Sequence, residues 1–262
     1  LAMRGFRPIA EIQYLDYLMF ALQTLSDDLA TVSYRSVGKQ LAPLIVRTRG
    51  HRLEGMWHAG SPMGMILNSL KGMLVLTPRN MVQASGMYNT LMSCTDPALI
   101  IEPLNAYRLK EKEPLNLGEF TVPLGKIEII SPGTDITVVS YGSTLKLVEK
   151  TIPELERNNI NIELIDIQSL IPFDLNKDIV ESIKKTNKLL IVDEDYPGGA
   201  SSFILKVLIE DHNGFKYLDS KPITLTAKEH RTPYGSDGDY FSKPSIDAVS
   251  YTHLRAHETT SH

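Results

Sequence analysis

Short apolar runs rich in β-branched residues alternate along this chain with stretches whose apolar positions recur every three or four residues. Runs of the first kind fall at 8–12, 44–47, 73–76 and 98–102, and again at 125–130, 135–140, 161–167, 188–193 and 222–227. Their length and composition predict strands, several of them buried on both faces. Between them, 16–31 carries Leu18, Ala21, Leu22, Leu25 and Leu29 on one helical face, and 144–158, 176–185 and 200–210 are also predicted helices. Asn80 is placed to cap a helix through Met81, Ala84 and Met87, because its side-chain oxygen can accept an orphan backbone N–H. Strands alternating with helices predict an α/β class with mostly parallel or mixed sheets.

The alternation breaks once. Residues 107–124 turn polar and proline-bearing, with Lys110-Glu111-Lys112-Glu113-Pro114, and no apolar period survives there. The chain is therefore expected to hold two α/β domains, 1–106 and 125–245, joined by a linker at 107–124. Leu1-Ala2-Met3-Arg4 runs almost directly into the first strand, so the first domain is expected to lack its N-terminal part. Residues 246–262 are expected to be a non-native tail outside the fold: 249–262 shows no helical or strand period, holds three of the seven histidines, and resembles translated adapter sequence.

Composition narrows the function. The chain has 262 residues, 42% apolar, without a run near the roughly eighteen residues of a membrane span. Lys and Arg number 27 against 31 Asp and Glu, net −4, so there is no general basic surface for nucleic acid. Neither a nucleic-acid nor a membrane partner is expected. A single cysteine, Cys94, precludes an internal disulfide and suits a reducing cytoplasm.

A Walker loop, a zinc-type array, a nucleophile elbow and a Rossmann glycine fingerprint are absent from the sequence, which leaves polar clusters at strand ends. Glu11-Ile12-Gln13-Tyr14-Leu15-Asp16-Tyr17 crowds carboxylates and aromatics at one strand exit; alternatively Asp16 only caps the next helix and the tyrosines only pack. The loop 47–61 holds Trp57, the one tryptophan, with His51 and His58. His58 is the candidate acid or base there, against the alternative of a solvated basic loop. Asp193-Glu194-Asp195-Tyr196-Pro197-Gly198-Gly199-Ala200 could hold a cation or another chain, or simply be turn chemistry before a helix.

Together, Arg7-Pro8-Ile9-Ala10-Glu11-Ile12-Gln13-Tyr14-Leu15-Asp16-Tyr17, Pro172-Phe173-Asp174 and Lys185-Thr186-Asn187-Lys188-Leu189-Leu190 resemble the β subunit of thiamine-diphosphate-dependent 2-oxoacid dehydrogenases, in the transketolase-like group. The resemblance spans residues 2–245. It implies an incomplete pyrimidine-binding domain followed by a transketolase C-terminal domain. Tyr17 stands where the family stacks an aromatic on the cofactor's aminopyrimidine, with Gln13 beside it as a pocket residue; His58 stands where the family keeps an active-site histidine, and Glu11 is structural. Family chains follow that histidine with Ser-Gln, whereas this one has Ala59-Gly60-Ser61, which puts loop geometry in doubt.

The resemblance also places the family's catalytic glutamate upstream of Leu1. The diphosphate and Mg²⁺ would be held by the α half, since this chain has no Gly-Asp-Gly and no metal-ligating residue is assigned to it. The implied activity is decarboxylation of a 2-oxo acid with acyl transfer to lipoyl, in a heterotetramer or other two-fold oligomer with an α subunit or fused α half and a lipoyl acyltransferase. The Ala-Glu-Ile-Gln and Asp-Tyr elements favour a branched-chain substrate such as 3-methyl-2-oxobutanoate over pyruvate, and the chain alone should be inactive. A non-catalytic subunit of the same fold, or another transketolase-like enzyme, are the alternatives.

Overall fold

The computed structural model describes residues 1–50, 58, 60–234 and 238–258. Among these, the strands are β1 (Ile9–Ile12), β2 (Ile45–Arg49), β3 (Leu74–Leu76), β4 (Ala98–Glu102), β5 (Glu128–Ser131), β6 (Ile136–Ser140), β7 (Ile162–Asp166), β8 (Ser169–Ile171), β9 (Leu189–Val192) and β10 (Ile223–Leu225). The α-helices are α1 (Val32–Arg35), α2 (Met63–Ser69), α3 (Met81–Ser93), α4 (Thr144–Glu149), α5 (Ile152–Arg157), α6 (Asp178–Thr186), α7 (Ala200–Lys206), α8 (Gly238–Ser242) and α9 (Ile246–Glu258).

Two mixed sheets result, ordered β1-β2-β4-β3-β8 and β10-β9-β6-β7-β5. Each is parallel except at one edge, where β8 runs antiparallel to β3 and β5 antiparallel to β7. The strands predicted from apolar runs all form: β4 matches its prediction, β2 runs on to Arg49, and the others are shorter by one to three residues. Strand β8 was not anticipated: three residues are too few to show a period, yet Val75 pairs with Ile171, so the second half of the sequence lends a strand to the first sheet. One apolar core accordingly contains Leu18, Val46 and Leu99 from the first half with Val139, Ile165 and Ile191 from the second.

Three helical expectations need correction. Residues 16–31 do not form one α-helix. They form a 3₁₀ turn at Leu15–Phe20, a π turn at Thr24–Leu29, and then α1. The 3₁₀ period sets Leu15 and Leu18 on one buried side, and Thr31 hydrogen-bonds back to the Asp27 carbonyl, a bond that bends helices. The predicted helix at 144–158 breaks into α4 and α5, because Pro153 lacks an N–H and restarts the helix in its first turn. Residues 246–258, expected to lie outside the fold, are the helix α9. Val249 is fully buried against a cluster holding Leu145, Val148 and Leu155. Ser250 Oγ donates to Glu154 2.8 Å away.

The expected cap is present: Asn80 Oδ1 accepts the Gln83 N–H at 2.8 Å at the start of α3. The polar segment after β4 is strapped along α3. Asn89 donates to the carbonyls of Leu117 and Phe120 at 2.9 and 2.8 Å. Phe120 lies so close to Gly86 that a Cβ there would stand 2.4 Å from its ring.

Candidate active site

Parallel strands end together, so their carboxyl ends assemble residues from distant parts of the chain. Strand β1 ends at Ile12 opposite Thr48 of β2, and the chain then turns through Gln13 and Tyr14 into the 3₁₀ segment that carries Asp16 and Tyr17. His58 arrives from the loop after β2 with φ of 58°, a left-handed conformation uncommon for a non-glycine residue. Its imidazole stacks on the Tyr14 ring, centroids 4.1 Å apart and planes 15° from parallel. Tyr17 packs edge-on against both, 5.1 Å from the imidazole and 5.8 Å from Tyr14. Asp16 Oδ2 is 3.3 Å from His58 Nδ1, and Asp16 Oδ1 is buried without a hydrogen-bond partner.

The structure therefore brings Tyr17 and His58 together. Tyr17 stays 40% exposed, which leaves ring surface for a planar ligand. Gln13 sits at the same strand exit with its residue exposed, and its backbone carbonyl accepts Arg49 Nε at 2.9 Å. Asp16 is not a helix N-cap, since Tyr14 occupies that position and no side chain caps the turn. Its carboxylate serves His58 instead, a partnership invisible in sequence because 42 residues separate them. Trp57, His51 and Ala59 lie outside the described residues.

Beside this cluster, Arg47 of β2 bonds Glu11 at 2.9 Å and Glu102 at 2.6 Å. Glu102 also accepts hydroxyl hydrogen bonds from Tyr88, at 2.6 Å, and from Tyr107. Burial alone would raise the Glu102 carboxyl, but the bonds from Arg47, Tyr107 and Tyr88 outweigh it and hold it below the usual carboxylate range. Tyr107 is pushed up to about 12, by burial first and then by its bond to Glu102. Glu11 is thus an anchor for Arg47.

The acidic cluster after β9 builds a turn. Asp193 Oδ1 accepts the Tyr141 hydroxyl at 2.7 Å and the Asp195 N–H at 3.0 Å, and Oδ2 accepts the Ser201 N–H at 2.8 Å. Gly198 takes a φ of 88°, which favours glycine. Among the described residues no three His, Cys, Asp or Glu side chains converge as metal ligands, and no described helix is long and apolar enough to cross a membrane.

A cleft of about 670 Å³ lies elsewhere, lined in part by Pro103, Leu109, Ser143, Lys146 and Lys243. Most of its cations already face acids: Arg79 bonds Glu128 and Asp166, Lys146 approaches Glu111 at 3.6 Å, and Lys243 lies 3.2 Å from Glu194. Neither Tyr17 nor His58 lines it. The stacked rings and the Asp16–His58 contact carry more chemistry than this volume does.

Comparison with known proteins fixes the class first. Residues 125–241 match the transketolase C-terminal domain family. A solved structure described as a split-gene transketolase in an inactive β4 tetramer superposes with a TM-score of 0.77 over 98% of this chain and 78% of its own, at 16% identity. The fold is two-domain α/β and transketolase-like.

Sequence relatives then define the family. The chain is 32% identical over 235 residues to the pyruvate dehydrogenase E1 component subunit beta of Staurastrum punctulatum, covering 89% of this chain and 70% of that one. It is 29% identical to the same subunit of Acholeplasma laidlawii, covering 95% and 76%. It is 30% identical to the 2-oxoisovalerate dehydrogenase subunit beta of Bacillus subtilis, covering 80% and 64%. The chain belongs to the family of 2-oxoacid dehydrogenase E1 β subunits.

Proposed function

We propose that this chain is the β part of the decarboxylating component of a 2-oxoacid dehydrogenase complex, using thiamine diphosphate and passing the acyl group to a lipoyl acyltransferase. The observation that carries this reading is the cluster at the carboxyl ends of β1 and β2, where an exposed aromatic ring, an imidazole and a half-buried carboxylate meet. These residues fit the cofactor's aminopyrimidine: Tyr17 offers ring surface for stacking, and Asp16 Oδ1 is an acceptor without a donor. When bound, the cofactor supplies the carbanion and electron sink for decarboxylation.

The chain's own residues do the rest. Tyr17 orients the flat ring by stacking and, with Tyr14, excludes water from one side. His58 holds or releases a proton at Nε2, because Asp16 engages Nδ1 and turns the other nitrogen outward. Gln13 lies within the same strand exit and lines the pocket. Mg²⁺ and the diphosphate are assigned to an α subunit or fused α half, in a two-fold assembly, and the single thiol supports a cytoplasmic location.

The substrate assigned is a branched-chain 2-oxo acid, supported by Ala10-Glu11-Ile12-Gln13 and Asp16-Tyr17. Pyruvate is the competitor, and relatives of both kinds occur. Co-expression with the α partner tests the reading. Turnover of 3-methyl-2-oxobutanoate with thiamine diphosphate, Mg²⁺ and lipoyl acceptor, absent for the chain alone and lost in His58→Ala, is the expected result. Undiminished turnover in His58→Ala would overturn the catalytic assignment, and a higher kcat/KM for pyruvate would overturn the substrate.

A further inference from the structure

The imidazole of His58 stacks on Tyr14, and the Arg49 guanidinium lies over the same ring. Arg49 Cζ lies 4.8 Å from the Tyr14 ring centroid, while the His58 centroid is 4.1 Å away in a nearly parallel plane. Both groups therefore pack against the same Tyr14 ring. Arg49 is itself tethered, its Nε donating at 2.9 Å to the carbonyl of Gln13, the residue just before Tyr14. One side chain therefore grips both the backbone and the ring of the strand exit.

Neighbouring Arg47 shows what Arg49 does not do. The two are separated by two residues on β2 and so share one face of the strand. Arg47 is bound to Glu11 and Glu102, whereas no described carboxylate forms an ion pair with Arg49. What Arg49 offers is a planar cation that stacks on an aromatic while its Nε keeps a hydrogen bond, which a lysine ammonium cannot do. His58 needs this support, because its backbone is in a left-handed conformation and, among the described residues, Asp16 alone hydrogen-bonds its ring. Asp16 sets the rotation within the ring plane, and Tyr14 sets the plane.

We propose that Arg49 is a positioning residue of this site, holding the Tyr14 ring as the platform that fixes the plane of the His58 imidazole. The proposal rests on the catalytic reading of His58. Loosening the stack lets the imidazole wander while the substrate still binds, so kcat falls and KM does not.

The test uses the holoenzyme assembled with its partner. Arg49→Met is expected to lower kcat by about tenfold with KM within about twofold, a misplacement effect, and Arg49→Lys should recover part of that loss. Combined with Tyr14→Leu, it should cost no more than Tyr14→Leu alone, because both act through one ring. A second readout is independent of turnover: labelling of His58 by diethyl pyrocarbonate, followed by peptide mass spectrometry, should rise several-fold in Arg49→Met as the imidazole unstacks. Unchanged labelling, or losses that multiply in the double variant, would sink the proposal even with His58 essential. Should His58→Ala instead keep full turnover, it is the functional reading that fails, while the labelling result still decides whether Arg49 holds the ring.

Discussion

Asp16 Oδ2 and His58 Nδ1 lie 3.3 Å apart across 42 residues of sequence, a carboxylate at one edge of an imidazole whose face is already covered by Tyr14. Such a pairing selects the tautomer and aims the other ring nitrogen. Asp16→Asn keeps the shape but offers an amide where Nδ1–H needs an acceptor. Turnover of the assembled enzyme should fall by about 100-fold with the fold intact by circular dichroism. A loss under twofold would mean the contact is packing alone.

Tyr17 is the stacking partner in this scheme, so its ring matters more than its hydroxyl. Tyr17→Leu should weaken thiamine diphosphate binding to the assembled enzyme roughly tenfold, near the upper range of aromatic pair energies. Calorimetric titration of the apoenzyme measures this directly. Equal affinity in both proteins would remove Tyr17 from the cofactor site.

The Arg47–Glu102 pair is nearly buried on the Glu102 side, which is 3% exposed. Replacing Glu102 with Ala strands the Tyr88 and Tyr107 hydroxyls and leaves Arg47 only Glu11, and should cost about 3 kcal/mol in denaturant unfolding. The pH dependence follows from the lowered Glu102 carboxyl. A depressed acid contributes stability that is present above its unfolded value, about 4.3, and is lost as pH falls through its folded value. Melting temperature should therefore drop less steeply in acid for Glu102→Gln than for the wild type, and parallel curves would contradict the assignment.

Helix α9 can be tested at Val249. Val249 is fully buried beside Leu145 and Val148, so Val249→Asp places a charge in apolar surroundings and should destabilise the fold by roughly 3 kcal/mol. A change within about 0.5 kcal/mol would show that α9 does not dock in solution.

How much could be read in advance depended on whether a feature was local. Strand cores such as 98–102 and 188–193 announce themselves because burial on both faces demands continuous apolar residues; the first formed as predicted and the second lost one residue at each end. Asn80 was legible because a cap needs only its own helix. The 16–31 segment misled because an apolar spacing of three and four suits an α-helix, while packing Leu15, Leu18 and Leu25 on the core required tighter and wider turns. Strand β8 is too short to show a period, and both it and helix α9 are stabilised by partners distant in sequence.

The same division holds at the site. The sequence by itself determined the residue types at the strand exit, the alternation that makes an α/β protein, and the motifs that resemble one enzyme family, because these are properties of neighbouring residues. Only the tertiary structure decided that Asp16 serves His58 and caps nothing, that Tyr14 packs against both an imidazole and a guanidinium, and that Glu102 gathers Arg47, Tyr88 and Tyr107. Those contacts depend on β1, β2 and β4 ending side by side, and a parallel sheet sets that alignment through hydrogen bonds between segments tens of residues apart.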